Sequence, residues 1–321
     1  PTDMITMQKA RERLKFEELF YIQLQILRQM KRREQNLGFT MPIVGKAFHS
    51  FYQHALPFPL TNAQKRVIRE IQSDLKAGKQ MNRLLQGDVG SGKTMVAFMS
   101  MLLAVDNGYQ ACIMAPTEIL ANQHYETLKS FLAPLGDAVH ISLLTGSTTT
   151  KQRTPIHQGL IDGTIHILIG THALLEDNVQ WSNLGLVIID EQHRFGVEQR
   201  SKLPQKGEKP HILVLSATPI PRTLHMSLIV IRDMSVLEEA PNDRMPIQTY
   251  VMEYNEELVR EAICRELSRD GQVFYVYNKV KDIDEIAARI QKLVPEANVA
   301  YAHGQMKEHE LEKIMFDFMY L

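Results

Sequence analysis

The chain is predicted to be an α/β protein built on a parallel sheet covered on both faces, and three observations lead there. Short continuous apolar runs such as Leu184–Asp190 and His211–Ser216 alternate with helical segments. Runs apolar at every position are buried on both sides, and in a βα alternation that means parallel strands under helices. A glycine-rich loop, residues 87–94, sits between the first such run and a helix. An acidic pair, Asp190-Glu191, closes a later run.

The elements follow in order. Residues 8–35 read as one long helix, with Leu14, Leu19, Ile22, Ile26 and Met30 at three- and four-residue steps. Its basic end, Arg28, Lys31, Arg32 and Arg33, suits a helix C-terminus and reads either as a solvated end or as a phosphate-contacting patch. The prolines of Leu56-Pro57-Phe58-Pro59-Leu60 break the next segment, and Thr61 is a natural N-cap for a new helix. Strands are expected at 84–86, 110–115, 139–144, 166–170, 184–190 and 211–216, with a helix at 122–131. A second α/β unit starts near residue 245, with strands at 272–277 and 298–302 and helices at 282–293 and 306–319.

Chemistry concentrates at the ends of these strands. Gly87-Asp88-Val89-Gly90-Ser91-Gly92-Lys93-Thr94 matches G-x-x-x-x-G-K-[ST] in the strand–loop–helix context that motif requires. The glycines let backbone amides curl round phosphates, and the following helix N-terminus adds partial positive charge. Lys93 is expected on the β- and γ-phosphates of ATP and Thr94 on Mg²⁺. Asp190 is expected to hold Mg²⁺ through water, and Glu191 to orient and deprotonate the attacking water; Gln192 and His193 follow at once. Ser216 and Thr218, with Gln192 and His193, are candidates for coupling the γ-phosphate state to grip on a polymer; a plain strand-end turn is the alternative for Ser216 and Thr218. Gln64 can donate to and accept from an adenine edge, or be an ordinary helical glutamine. Pro116-Thr117 and Gly170-Thr171-His172 offer amides and hydroxyls to a nucleic-acid backbone, with helix capping as the alternative or additional role.

Composition sets bounds. The 321 residues suffice for two domains, and 44% hydrophobic with 23% charged residues is ordinary for a globular protein. A net charge of −1 means that any nucleic acid must be held by local basic patches, amides and helix ends. Cys112 and Cys264 have no zinc or disulfide spacing, no apolar stretch reaches membrane length, and a cytoplasmic location is expected.

Taken together, the phosphate loop, 115–124 (Ala-Pro-Thr-Glu-Ile-Leu-Ala-Asn-Gln-His), 169–174, 190–200 (Asp-Glu-Gln-His-Arg-Phe-Gly-Val-Glu-Gln-Arg) and 216–224 resemble the superfamily-two motors of the RecG helicase family and its Mfd relatives. Residues 11 to about 215 look most like the former, and residues from about Leu224 more like the latter, so a join is expected between about 205 and 224, as in a chimera. The resemblance implies a RecA-like fold, ATP with Mg²⁺, branched duplex DNA as partner, no membrane, and a monomer. It implies a linking helical segment at 1–55, a first RecA-like domain at 56–240 and part of a second at 241–321. It also implies that a wedge domain lies before this stretch and the arginines that reach the γ-phosphate after it. Such arginines give roughly 10³–10⁵ in rate, so this stretch is expected to bind Mg·ATP and turn it over weakly. A coupling translocase acting on stalled RNA polymerase, a nucleotide-gated binding module and an RNA helicase are the competing readings.

Overall fold

The computed structural model describes residues 3–34, 37–191, 195, 202–217, 232–239, 247–306 and 308–320. It divides into two compact units, Pro1–Arg244 and Met245–Leu321.

The first unit opens with α1 (Met4–Glu34). The helix forms as expected, but Leu14, Phe16, Leu19, Phe20, Tyr21, Leu24 and Leu27 are all exposed. Next come α2 (Lys46–Ser50) and a π-helical turn (Phe51–Ala55). The amides of Gly45, Ala47 and Phe48 all donate to the Asp106 carboxylate, at 2.9, 2.9 and 3.0 Å.

Helix α3 (Asn62–Lys76) starts at Thr61 with a complete capping box: Thr61 Oγ1 accepts from the Gln64 amide, and Gln64 Oε1 accepts from the Thr61 amide. Then strands and helices alternate: β1 (Asn82–Gly87), α4 (Lys93–Asp106), β2 (Gln110–Met114), α5 (Glu118–Leu132), β3 (Ile141–Leu144), α6 (Thr150–Ile161), β4 (Ile167–Gly170), β5 (Leu184–Asp190), β6 (His211–Ser216) and β7 (Asp233–Leu237). The strands form one parallel sheet in the order β3-β4-β2-β5-β6-β1-β7.

Side chains alternate across the sheet with period two. Leu85, Ile113, Ile169, Ile188 and Leu213 join α3 and α4 in one core. Their neighbours Leu84, Cys112, Leu168, Val187 and Val214 face the other. Two buried faces explain why the strands carry no polar alternation. Helix α4 is buried from Met95 to Ala104, as suits the helix behind the centre of a sheet. Strand β7 has no continuous apolar run, because it lies at the sheet edge with Asp233 exposed, and its sequence gave little sign of it.

The second unit contains α7 (Glu256–Leu267) and α8 (Ile283–Leu293), which pack around Ile263, Ile290 and Val294, and α9 (Glu308–Tyr320). The strands expected at 272–277 and 298–302 carry no ladder. A strand exists only with a hydrogen-bonded neighbour, and none of the described residues supplies one. Phe274 and Val276 are accordingly exposed.

Candidate active site

The carboxyl ends of β5, β6 and β1 lie side by side: Asp190 is in register with Leu215, and Ser216 with Gln86. At ordinary strand spacing Asp190 and Gly87 are two strands, roughly 10 Å, apart. That span suits a phosphate group and a cation between them.

The loop from β1 to α4 carries Gly90 at φ 80° and Gly92 at φ 84°, the left-handed region where a Cβ is unfavourable. A Cβ on Gly92 would also overlap Gln64 Nε2. Lys93 folds back over the loop, its Nζ donating to Gly87 O at 2.7 Å and Asp88 O at 2.9 Å. Burial holds its pKa below the usual lysine value, against the pull of Asp190, Glu191 and Asp88. These carboxylates therefore act on Lys93 electrostatically. Thr94 stands half-buried in the first turn of α4.

Gln64 is buried, its Nε2 donating to Ser91 O at 2.9 Å and its Oε1 engaged by the Thr61 amide. The side chain expected at an adenine edge thus braces the phosphate loop here. Ser91 Oγ is buried with no partner.

Asp190 ends the wholly buried β5 and accepts from His124 Nε2 at 2.9 Å. Glu191 has φ 46°, rare for a residue with a Cβ. Two bonds hold it there: its amide donates to Leu215 O at 3.0 Å, and its Oε1 accepts from the Ala217 amide at 2.8 Å. Ser216 is buried beside them. Gln192, His193 and Thr218 lie outside the described residues, as do 194 and 196–200 of the stretch that carries much of the resemblance.

The two candidate backbone-contacting loops follow β2 and β4, which are neighbours through Met114 and Gly170. Thr117 is exposed, and its Oγ1 caps α5 by accepting from the Leu120 amide at 3.3 Å. Pro116 is half-buried and His172 exposed. Thr171 is buried, its Oγ1 without a partner, and a Cβ on Gly170 would overlap Leu144 O. Sequence reasoning missed the adjoining loop at 145–149, where Glu118 accepts from the Ser147 amide at 2.9 Å and the Ser147 hydroxyl at 2.7 Å. It also missed His124; no periodic signal could reveal that a histidine on α5 meets the acid at the end of β5.

Among the described residues no group of three His, Cys, Asp or Glu side chains could hold a metal alone. The donor set instead suits Mg²⁺, which takes one or two protein oxygens and completes its octahedron from phosphates and water. No described helix is long and apolar enough to cross a membrane.

A parallel sheet with a phosphate loop after one strand and an acid pair two strands away defines a P-loop nucleotide-site architecture. The chain belongs to the DEAD/DEAH box helicase family, which matches residues 61–227. It is 42% identical over 331 residues to ATP-dependent DNA helicase RecG of Thermotoga maritima, covering 99% of this chain and 42% of that protein. It is 49% identical over 268 residues to the transcription-repair-coupling factor of Bacillus subtilis, covering 84% of this chain and 23% of that one. The solved structure of RecG bound to a three-way DNA junction superposes with TM-score 0.83 at 41% identity, over 99% of this chain and 42% of that chain. The chain therefore spans less than half the length of these relatives.

Proposed function

We propose that the chain is the motor core of a DNA helicase or translocase in which ATP hydrolysis drives movement on duplex DNA and remodelling of branched junctions. The observation that carries this reading is that the Lys93 loop and the Asp190-Glu191 pair lie at the carboxyl ends of β1 and β5, two strands apart in one sheet. The likeness to a RecG structure bound to a three-way junction supports DNA as the polymer. Residues 1–55 would act as a linking segment, 56–240 as the ATP-binding RecA-like domain and 241–321 as part of a second.

ATP supplies the phosphoanhydride to be cleaved, and Mg²⁺ the charge that offsets its phosphates. The amides of Asp88, Gly90, Ser91 and Gly92 would line the phosphates, aided by the α4 N-terminus. Lys93 would exchange its two loop carbonyls for phosphate oxygens, relieving the burial that depresses its pKa. Thr94 Oγ1 and Asp190 would face the cation. Glu191, released from the Ala217 amide, would orient the attacking water and take its proton. Because that release would free the turn after β6, Ser216 and Thr218, with Gln192 and His193, would pass the nucleotide state onward. Pro116, Thr117, Gly170, Thr171 and His172 would meet the DNA backbone.

ATPase rate with and without branched DNA, on the chain and on Lys93→Ala, tests the reading. Turnover that rises with DNA and vanishes in Lys93→Ala supports a motor. Tight nucleotide binding with no turnover at any DNA concentration would leave a nucleotide-gated binding module. The 49% identity to a coupling factor favours one second reading, a translocase acting on stalled RNA polymerase. Displacement of polymerase stalled on DNA, with no activity on protein-free junctions, would select it.

A further inference from the structure

We propose that His124 is the positioning residue for the cation-facing carboxylate of Asp190, a role that rests on the nucleotide-site reading above. The two side chains are 11% and 12% exposed, and Nε2 lies 2.9 Å from Oδ2. A carboxylate so enclosed must be hydrogen-bonded, and its partner decides which way it faces. With Nε2–H donating, Oδ2 turns toward α5, and Oδ1 is the oxygen left to face the phosphate loop. Both backbones are fixed. Asp190 ends a strand whose every residue is buried, and α5 is pinned by buried Ala121, Leu128 and Leu132. The carboxylate therefore sits between two rigid supports.

Mg²⁺ demands near-ideal octahedral geometry at short distances, so a small swing of the carboxylate weakens its hold. A histidine that merely filled space in the core would need no partner at a strand's active end. The His124 Nε2 is engaged by Asp190.

The test is Mg²⁺ titration of the binding of a fluorescent ATP analogue, compared with binding in excess chelator. His124→Ala should raise the half-saturating Mg²⁺ concentration about ten-fold or more, with metal-free affinity held within about two-fold. His124→Gln, which keeps an N–H donor, should stay within about three-fold of the parent. An unchanged Mg²⁺ midpoint in His124→Ala, or equal losses in Ala and Gln variants, would overturn the proposal. Should the alanine variant unfold, His124→Leu replaces it, filling the space without a donor. A shifted Leu variant beside a normal Gln variant supports the role, and identical behaviour refutes it. Lys93→Ala separates the two levels: if it binds the analogue as tightly as the parent, the nucleotide-site reading fails and takes this role with it.

Discussion

Gly92 shows how narrowly the phosphate loop is specified. It needs a left-handed backbone, and its missing Cβ leaves room for the Gln64 amide that braces Ser91. Gly92→Ala would force both to yield, at about 1–2 kcal/mol for the left-handed backbone alone. We expect a lower urea midpoint together with weaker nucleotide binding; a midpoint like the parent's would show that the loop adapts freely. Lys93→Ala should weaken ATP binding at least about ten-fold with little effect on stability, because its partners here are carbonyls that water can satisfy. Glu191→Gln should separate binding from turnover. The amide keeps an oxygen for the Ala217 amide, so the strained turn survives, but it cannot take a proton. Hydrolysis should fall about 10²-fold or more with affinity unchanged, read by single-turnover kinetics and nucleotide titration.

At the scale of elements, two joints hold the N-terminal segment and α3 to the nucleotide domain. The first is the Asp106 carboxylate, which takes three amides at the start of α2, helped by Asn107 bonded both ways to Ile43. Asp106→Ala would leave those amides unpaired near the surface, and a loss of about 2 kcal/mol is expected in chemical denaturation. Early proteolytic cleavage near residues 43–50 should accompany it. The second joint is the capping box of α3, reinforced from β7 by Glu239, whose carboxylate accepts from the Ala63 amide at 3.1 Å and is held below the usual glutamate pKa by that bond. Strand β7 is bound to the same helix through Arg83, which meets Glu70, Asp74 and Ser235. The helix that carries Gln64 is thereby coupled to both the phosphate loop and the sheet edge.

For the molecule as a whole, two histidines give stability a pH dependence of known sign. His211 is fully buried; its Nδ1 accepts from the Met81 amide at 3.0 Å and its Nε2–H donates to Phe39 O at 2.8 Å. That pairing needs the neutral ring, and burial lowers the pKa. His166 is lowered too, by burial and then by His140 stacked at 5.6 Å. When the folded pKa is depressed, the unfolded chain takes up the proton first. The stabilisation is complete above the unfolded value, about 6.5, and is lost as pH falls through the folded pKa. Urea midpoints should therefore drop between about pH 7.5 and 5.5. His211→Gln should be less stable at pH 7.5 but show a shallower slope; an equal slope would assign the effect elsewhere.

Much of this protein was legible in the residue order. Runs apolar at every position announced strands buried on both faces, and the glycine spacing before Lys93 announced a phosphate loop, because both are local patterns dictated by backbone geometry. The proline pair before Thr61, and Thr61 itself as N-cap, likewise predicted where α3 begins. Other features belong to tertiary structure alone. Strand β7 is polar at the sheet edge and exists through its pairing with β1. The run at 272–277 has strand-like residues but no pairing neighbour among the described residues, so composition misled. The apolar steps along α1 marked a helix, but Leu14 and Leu19 among them are exposed. The Gln64 amide reaches the Ser91 carbonyl across 27 positions of sequence. His124 meets Asp190 across 66 positions of sequence, a contact made when α5 packs on the sheet. Sequence by itself determined the buried strands of the first unit, the phosphate loop and the acid pair, whose patterns span a few residues. The strand order, the brace on the loop and the partner of Asp190 were decided in three dimensions, where packing brings distant side chains within hydrogen-bonding reach.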